Sequence, residues 1–95
     1  MNNLLIALKD KLNITWLEEE TERKLERILV SSEAALNRKL GADIDYTKPG
    51  QEQELFLNYC MYSWNNCLNE FDNNYLNEIM QIRQYYEVVN YDETE

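Results

Sequence analysis

Apolar residues recur at helical spacing along most of the chain. Leu5, Leu8 and Leu12 lie on one face and predict a short amphipathic helix from Asn3 to Leu12. A longer stripe follows and falls within an arc of about 140° at 100° per residue. Its members are Leu17, Thr21, Leu25, Ile28, Leu29, Ser32, Leu36 and Leu40. This stripe predicts a second helix with one face in the core.

Both ends of the second helix carry recognisable signals. Thr15 and Glu18 have the spacing of a capping box, which predicts that the helix begins there. Acidic residues follow in the first turn and basic residues stand in the last turn, as the helix dipole favours. Gly41 occupies the position where a left-handed C-cap is expected.

The segment from Glu52 to Leu68 predicts a third helix that is apolar on most of its circumference. Three apolar stripes leave only a narrow strip of asparagines. A helix with this pattern must be buried nearly all round. A chain of this length has few partners to cover it, so we expect part of its surface to meet another subunit.

The remaining segments complete an all-α fold. Residues 42–50 predict an ordered loop between helices 2 and 3, with Ile44 and Tyr46 folding back onto the helices. Asp72-Asn73-Asn74 supplies turn chemistry before a fourth helix, on which Tyr75, Ile79, Ile82 and Tyr86 form a stripe. We expect a single domain: a small four-helix bundle over residues 1–87 and an extended, flexible acidic tail over 88–95.

Charge and composition narrow the function. The 95 residues include 18 acidic and 9 basic side chains, for a net charge of −9. The resulting field repels phosphate and anionic lipid, so direct DNA binding is not expected.

The sequence lacks a membrane-spanning stretch and a signal peptide, which favours an intracellular protein. Cys60 and Cys67 would lie about 10.5 Å apart along one helix, too far for a disulfide.

The residue types needed for common catalytic sites are missing. The chain has no histidine, which excludes Ser-His and Cys-His nucleophiles, and its two glycines cannot form a phosphate loop. Glu19-x-x-Glu22 matches half of a magnesium-dependent pyrophosphohydrolase pattern, but an E-x-x-D partner is lacking. Residues 43–54 resemble a calcium loop, yet Lys48 replaces its required glycine, so a plain turn is favoured. We expect a non-enzymatic protein without a metal or cofactor.

Aromatic residues are the candidates for an interface, because tryptophan and tyrosine dominate the energetics of protein contacts. Most of them also have core spacing. The candidate subunit or partner contacts are Trp16, Tyr62, Trp64, Tyr85 and Tyr91.

A set of cap and core positions over about residues 4–87 resembles the head-tail connector (adaptor, or head-completion) family of long-tailed phages and prophages. The matching positions are Ile14-Thr15-Trp16, Leu25, Ile28, Leu29, Leu36, Leu40-Gly41, Asp45-Tyr46, Pro49-Gly50, Leu55, Leu57, Tyr59, Tyr62, Asn74-Tyr75, Glu78-Ile79 and Ile82-Arg83. The sequence departs from the family at Asn65, Asn66 and Cys67 and in its longer acidic tail.

This resemblance implies a structural role after DNA packaging. Subunits of the family form a ring, expected to hold twelve copies, beneath the portal protein. The ring extends the DNA channel and carries the downstream tail-completion or stopper protein. The implied locations are the host bacterial cytoplasm during assembly and the head-tail junction of the virion. We expect acidic side chains to face the channel so that DNA slides without binding, with Glu19, Glu22 and Glu26 as candidates.

The net charge also leaves a second hypothesis open. A small acidic helical protein could inhibit a nucleic-acid enzyme by imitating DNA, with carboxylates spaced like phosphates. The charge is concentrated on the second helix and the tail and is not spread over a surface, so the DNA-mimic hypothesis is weaker than the connector hypothesis.

Overall fold

A computed structural model describes residues 2–16 and 18–94, and side chains over 3–16 and 18–89. This part of the chain is all helical and contains no strand. Five α-helices follow one another, and a short 3-10 turn, Leu68–Glu70, lies between the third and fourth. The helices are α1 (Asn2–Leu12), α2 (Glu19–Leu40), α3 (Gln51–Trp64), α4 (Phe71–Asn74) and α5 (Leu76–Thr94). The all-α class is confirmed, whereas the predicted count of four helices is not matched.

The connection between α1 and α2 differs from the predicted capping box. Asn13 adopts a left-handed conformation, with φ of 58°, and Ile14 enters the core with 7% of its surface exposed. Thr15 lies exposed in the connection, and α2 begins at Glu19, four residues later than Thr15. Burial of Ile14 therefore prevails over capping by Thr15, because an apolar side chain taken out of water contributes more than one cap.

Helix α2 confirms the predicted stripe from Leu25 onward. Its fully or nearly buried residues are Leu25, Ile28, Leu29, Ser32, Leu36 and Leu40. Thr21 of the predicted stripe is only half-buried, and Leu17 lies outside the described residues. Gly41 ends the helix with φ of 73°, as the C-cap prediction requires. Ile44 and Tyr46 then fold back into the core, also as predicted.

Helix α3 is covered largely by its own chain. Its first ten residues include five buried side chains, and α1 and α2 pack against it. Tyr46 from the loop stacks on Phe56, with ring centres 4.4 Å apart. Toward its end, Met61, Tyr62 and Trp64 are half-buried. The expectation that this helix carries a large uncovered surplus is therefore wrong, because the ordered loop and the segment after Trp64 supply the missing cover.

The third helix ends at Trp64 instead of Leu68. Asn66 takes a left-handed conformation with φ of 58°, and the amide of Cys67 donates to the carbonyl of Tyr62 at 2.9 Å. This turn redirects the chain so that Phe71 becomes completely buried. Asparagine tolerates this backbone conformation better than most residues. The predicted turn at Asp72-Asn73-Asn74 is instead the short helix α4.

Helix α5 begins after Tyr75 and continues to Thr94. Ile79 and Ile82 are buried, and Tyr75 and Tyr86 are half-buried, which matches the predicted stripe. The helix crosses residue 88, so the backbone from 88 to 94 is helical where an extended tail was expected.

Candidate interaction surfaces

Most of the charged side chains of helix α2 fall into two strips. At about 100° per residue, one arc of roughly 60° holds four acids and a neighbouring arc of roughly 100° holds four bases together with Glu20. The acidic strip consists of Glu19, Glu22, Glu26 and Glu33, and the basic strip consists of Arg23, Lys24, Arg27 and Arg38. The acidic strip borders the buried stripe, and its Glu22 and Glu33 are half-buried, whereas the basic strip is exposed. A helical projection is needed to see this partial separation, which the order of the residues along the chain does not show.

The three acids predicted to face a channel lie together on one side of α2, although their surroundings differ. Glu22 forms an ion pair with Lys9 of α1. Glu19 is paired with Arg23 at 3.7 Å on an exposed surface. Glu26 is exposed and makes no ion pair with any described residue. Glu22 is thus tied to the neighbouring helix, and Glu26 presents the most open carboxylate of the three.

Trp64 lies beside the basic strip. The Nζ of Lys24 stands 4.8 Å from the centre of the Trp64 ring, within the range of a cation–π contact. Arg23 and Arg27 line the same shallow depression as Trp64, together with Glu20 and Thr21. Trp16 is 50% exposed, and its indole N–H donates to the Thr21 hydroxyl at 3.4 Å. Of the two predicted interface tryptophans, Trp64 therefore contacts the basic side chains, and Trp16 reaches only Thr21 at the edge of the depression.

Tyr62 belongs chiefly to an aromatic cluster within the chain. Its ring contacts Phe71 and Tyr75 edge to face, with centres 5.5 and 5.7 Å away. Its hydroxyl accepts a hydrogen bond from the Asn74 side chain at 2.9 Å. These contacts hold the end of α3 against α4 and against Tyr75, the residue that precedes α5. An interface role for Tyr62 would have to use the half-exposed edge that remains.

The outer side of α5 carries large apolar residues opposite its buried stripe. Leu76, Met80 and Val88 are 52%, 50% and 61% exposed. Tyr85 is 60% exposed and contacts Tyr86 edge to face. Tyr91 lies outside the residues whose side chains are described. These three aliphatic residues lie outside the single stripe predicted for this helix, so periodicity alone did not indicate them as interface candidates.

Two titratable groups of the core have shifted pKa values. Burial raises the pKa of the Cys60 thiol from 9.0 to about 12, and burial also raises the pKa of the Tyr46 phenol. Both groups therefore stay neutral near pH 7, which suits packing. The Tyr46 hydroxyl donates to the Asn37 side chain at 2.7 Å. Cys60 is buried, Cys67 is half-buried, and both are free thiols.

The segment with the calcium-loop pattern forms a turn after Asp45 and then the start of α3. The Asp45 carboxylate accepts a hydrogen bond from the Thr47 amide at 3.0 Å and another from the Thr47 hydroxyl. These contacts lower the pKa of Asp45. Among the described residues, no three histidine, cysteine or acidic side chains are grouped as metal ligands would be.

No described helix has both the length and the apolar content needed to cross a bilayer. Comparison with known protein families, curated proteins and solved structures gives no match to this chain.

Proposed function

We propose that this chain is a structural head-tail connector subunit of a tailed phage or prophage. Copies form a ring, twelve in the virion, beneath the portal protein. The ring extends the DNA channel and offers a platform to the tail-completion or stopper protein. The work is done by packing and charge, without catalysis. Assembly takes place in the host cytoplasm, and the finished ring lies at the head-tail junction.

The observation that carries the proposal is the apolar outer side of α5. Leu76, Met80 and Val88 leave at least half of their surfaces exposed, although the opposite side of the same helix is packed into the core. Exposed Gln84 and Glu87 lie among these residues, so this side of α5 is a mixed surface, and its large apolar side chains are the candidates for burial in an interface. In a ring, such a surface meets a different part of the next copy, which gives the head-to-tail contact that closes a cycle.

The resemblance in sequence supports the same proposal. Gly41 and Tyr46 are two of the positions that match the head-tail connector family. Gly41 ends α2 as its C-cap, and Tyr46 from the loop stacks on Phe56 of α3. Helices α2 and α5 also pack against each other within the chain, so a subunit can present surfaces on both helices in a fixed relation, as closure of a ring requires.

Net charge supports a channel that releases DNA. Each copy has a net charge of −9, and the charges of all copies in a ring add up, so the ring repels the phosphate backbone of DNA. We propose that Glu26 faces the lumen, with Glu19 and Glu22 on the same side of α2. DNA would then pass without specific contacts to the ring.

The test is to mix the purified chain with the portal protein of its own phage and image the complex by electron microscopy. We expect an added ring of density beneath the portal. Met80→Glu combined with Val88→Glu should abolish the ring, because charges would have to enter an apolar contact. Ile6→Glu, at a residue 59% exposed on α1, is the matched control and should leave it intact. A bare portal at saturating wild-type chain contradicts the proposal.

A further inference from the structure

Three basic side chains of this acidic protein lie together beside one tryptophan. We call this surface the basic-tryptophan patch and define it as Arg23, Lys24, Arg27 and Trp64; Glu20 and Thr21 complete the lining of the depression. The patch holds three of the nine basic residues of the chain and one of its two tryptophans. The depression between the basic side chains and Trp64 is open to solvent. Tryptophan and arginine are the residue types most enriched at energetic centres of protein interfaces.

We infer that the basic-tryptophan patch binds an acidic helical segment of a partner protein. Arg23 and Arg27 stand one helical turn apart, which places their side chains about 6 Å from each other at the Cβ atoms. Two carboxylates one turn apart on a partner helix match this spacing. Guanidinium groups bind carboxylates through paired hydrogen bonds, so the match gives direction as well as charge.

The existing partners of these bases are weak enough to be exchanged. Arg23 is 68% exposed and its Glu19 partner 93% exposed, and an ion pair at such a surface contributes little. Lys24 lies over the Trp64 ring. The arriving segment can therefore place carboxylates on the two arginines and an apolar side chain against the uncovered part of Trp64.

A protein segment fits the patch better than a nucleic acid does. Glu18, Glu19 and Glu20 border the bases directly and would face a continuous phosphate backbone. The net charge of −9 also opposes the approach of a long polyanion. A helix with separate carboxylates can avoid the three glutamates while reaching the arginines. This contact does not depend on the ring, since it uses α2 and not the outer side of α5.

Intrinsic fluorescence offers a direct test, because Trp64 lies in the patch. A Trp16→Phe background leaves Trp64 as the only reporter. The probe is a synthetic helical peptide with glutamates four residues apart beside a row of leucines, and its control has glutamine in place of glutamate. We expect a saturable change in Trp64 emission with the glutamate peptide, weaker at high salt. Arg27→Glu should weaken binding about tenfold or more, the loss expected for a hydrogen bond to a charged group.

The matched control is Lys48→Glu, which makes the same change of charge at an exposed loop position. It should bind within about twofold of the parent, because a distant exposed charge is screened by salt. Equal thermal unfolding of both variants establishes that each is folded. The inference is overturned if Trp64 emission shows no saturable change with the glutamate peptide, or if the glutamine peptide binds equally well. Tighter binding of a thymidine oligonucleotide than of the glutamate peptide would also overturn it. A change in Trp64 emission when the chain is diluted without peptide would assign the patch to contact with a second copy instead.

Discussion

The Tyr46 hydroxyl donates a hydrogen bond to the side-chain oxygen of Asn37 at 2.7 Å, which joins the loop to the end of α2. The same oxygen accepts the Ile44 amide at 3.3 Å. One asparagine therefore fixes two points of the segment that covers α3. This arrangement explains why the loop is ordered and why Tyr46 is almost fully buried.

Removing that hydroxyl should loosen the loop measurably. We expect Tyr46→Phe to lower the free energy of unfolding by about 1 kcal/mol, since a buried polar partner loses one hydrogen bond. Urea denaturation measures the change. Tyr85→Phe makes the same chemical change at a 60% exposed position and should stay within about 0.5 kcal/mol of the parent. Equal effects of the two substitutions would show that the contact with Asn37 does not stabilise the fold.

The backbone at Asn66 supplies a second prediction. Its φ of 58° lies in the left-handed region, where a β-carbon is disfavoured. We expect Asn66→Ala to cost roughly 1 kcal/mol in unfolding free energy and Asn66→Gly to cost less, because glycine adopts this conformation freely. Asn69→Ala, at an exposed position in the 3-10 turn, serves as control. The reverse order, with alanine better than glycine, would contradict the turn that brings Phe71 into the core.

Alkaline pH should destabilise the protein through its buried thiol. Burial raises the pKa of Cys60 from 9.0 to about 12, so between these values the unfolded chain loses this proton while the folded chain keeps it. Stability must then fall as pH rises above about 9, by up to roughly 1.4 kcal/mol per pH unit for one group. Burial also raises the pKa of Tyr46, so its phenol adds to the loss at higher pH.

Unfolding measured by urea from pH 8 to pH 10.5 tests this slope. Cys60→Ala removes one titrating group and should flatten the decline, even though the cavity lowers stability at every pH. Cys67→Ala, at the half-buried thiol, provides the comparison. An unchanged slope in the Cys60→Ala protein would exclude the buried thiol as its cause.

Much of the fold follows from local rules. Helix α1, the buried stripe of α2 and the Gly41 cap could be predicted because periodicity and backbone preference agree there. Burial of Ile44 and Tyr46 could also be predicted, since isolated apolar residues in a polar loop tend to pack inward. The all-α class needed no knowledge of tertiary contacts.

Other features depend on contacts distant in sequence. Thr15 has ideal capping spacing, yet Ile14 next to it is drawn into the core and the helix begins later. The break at Asn66 serves the burial of Phe71, which local spacing does not show. Once the loop and α4 cover α3, the uncovered apolar surface lies on α5 instead. Predicting an interface therefore required knowing which apolar side chains the fold itself uses.

The central claim is that copies of this chain pack through the outer side of α5 when they assemble on the portal. Hydroxyl-radical footprinting read out at Met80, which is 50% exposed in the single chain, tests it most directly. Half-buried Met61 on α3 serves as the internal reference. We predict that oxidation of Met80 falls sharply in the portal-bound assembly while that of Met61 is little changed. Equal oxidation of Met80 in the free and the portal-bound chain would contradict the account.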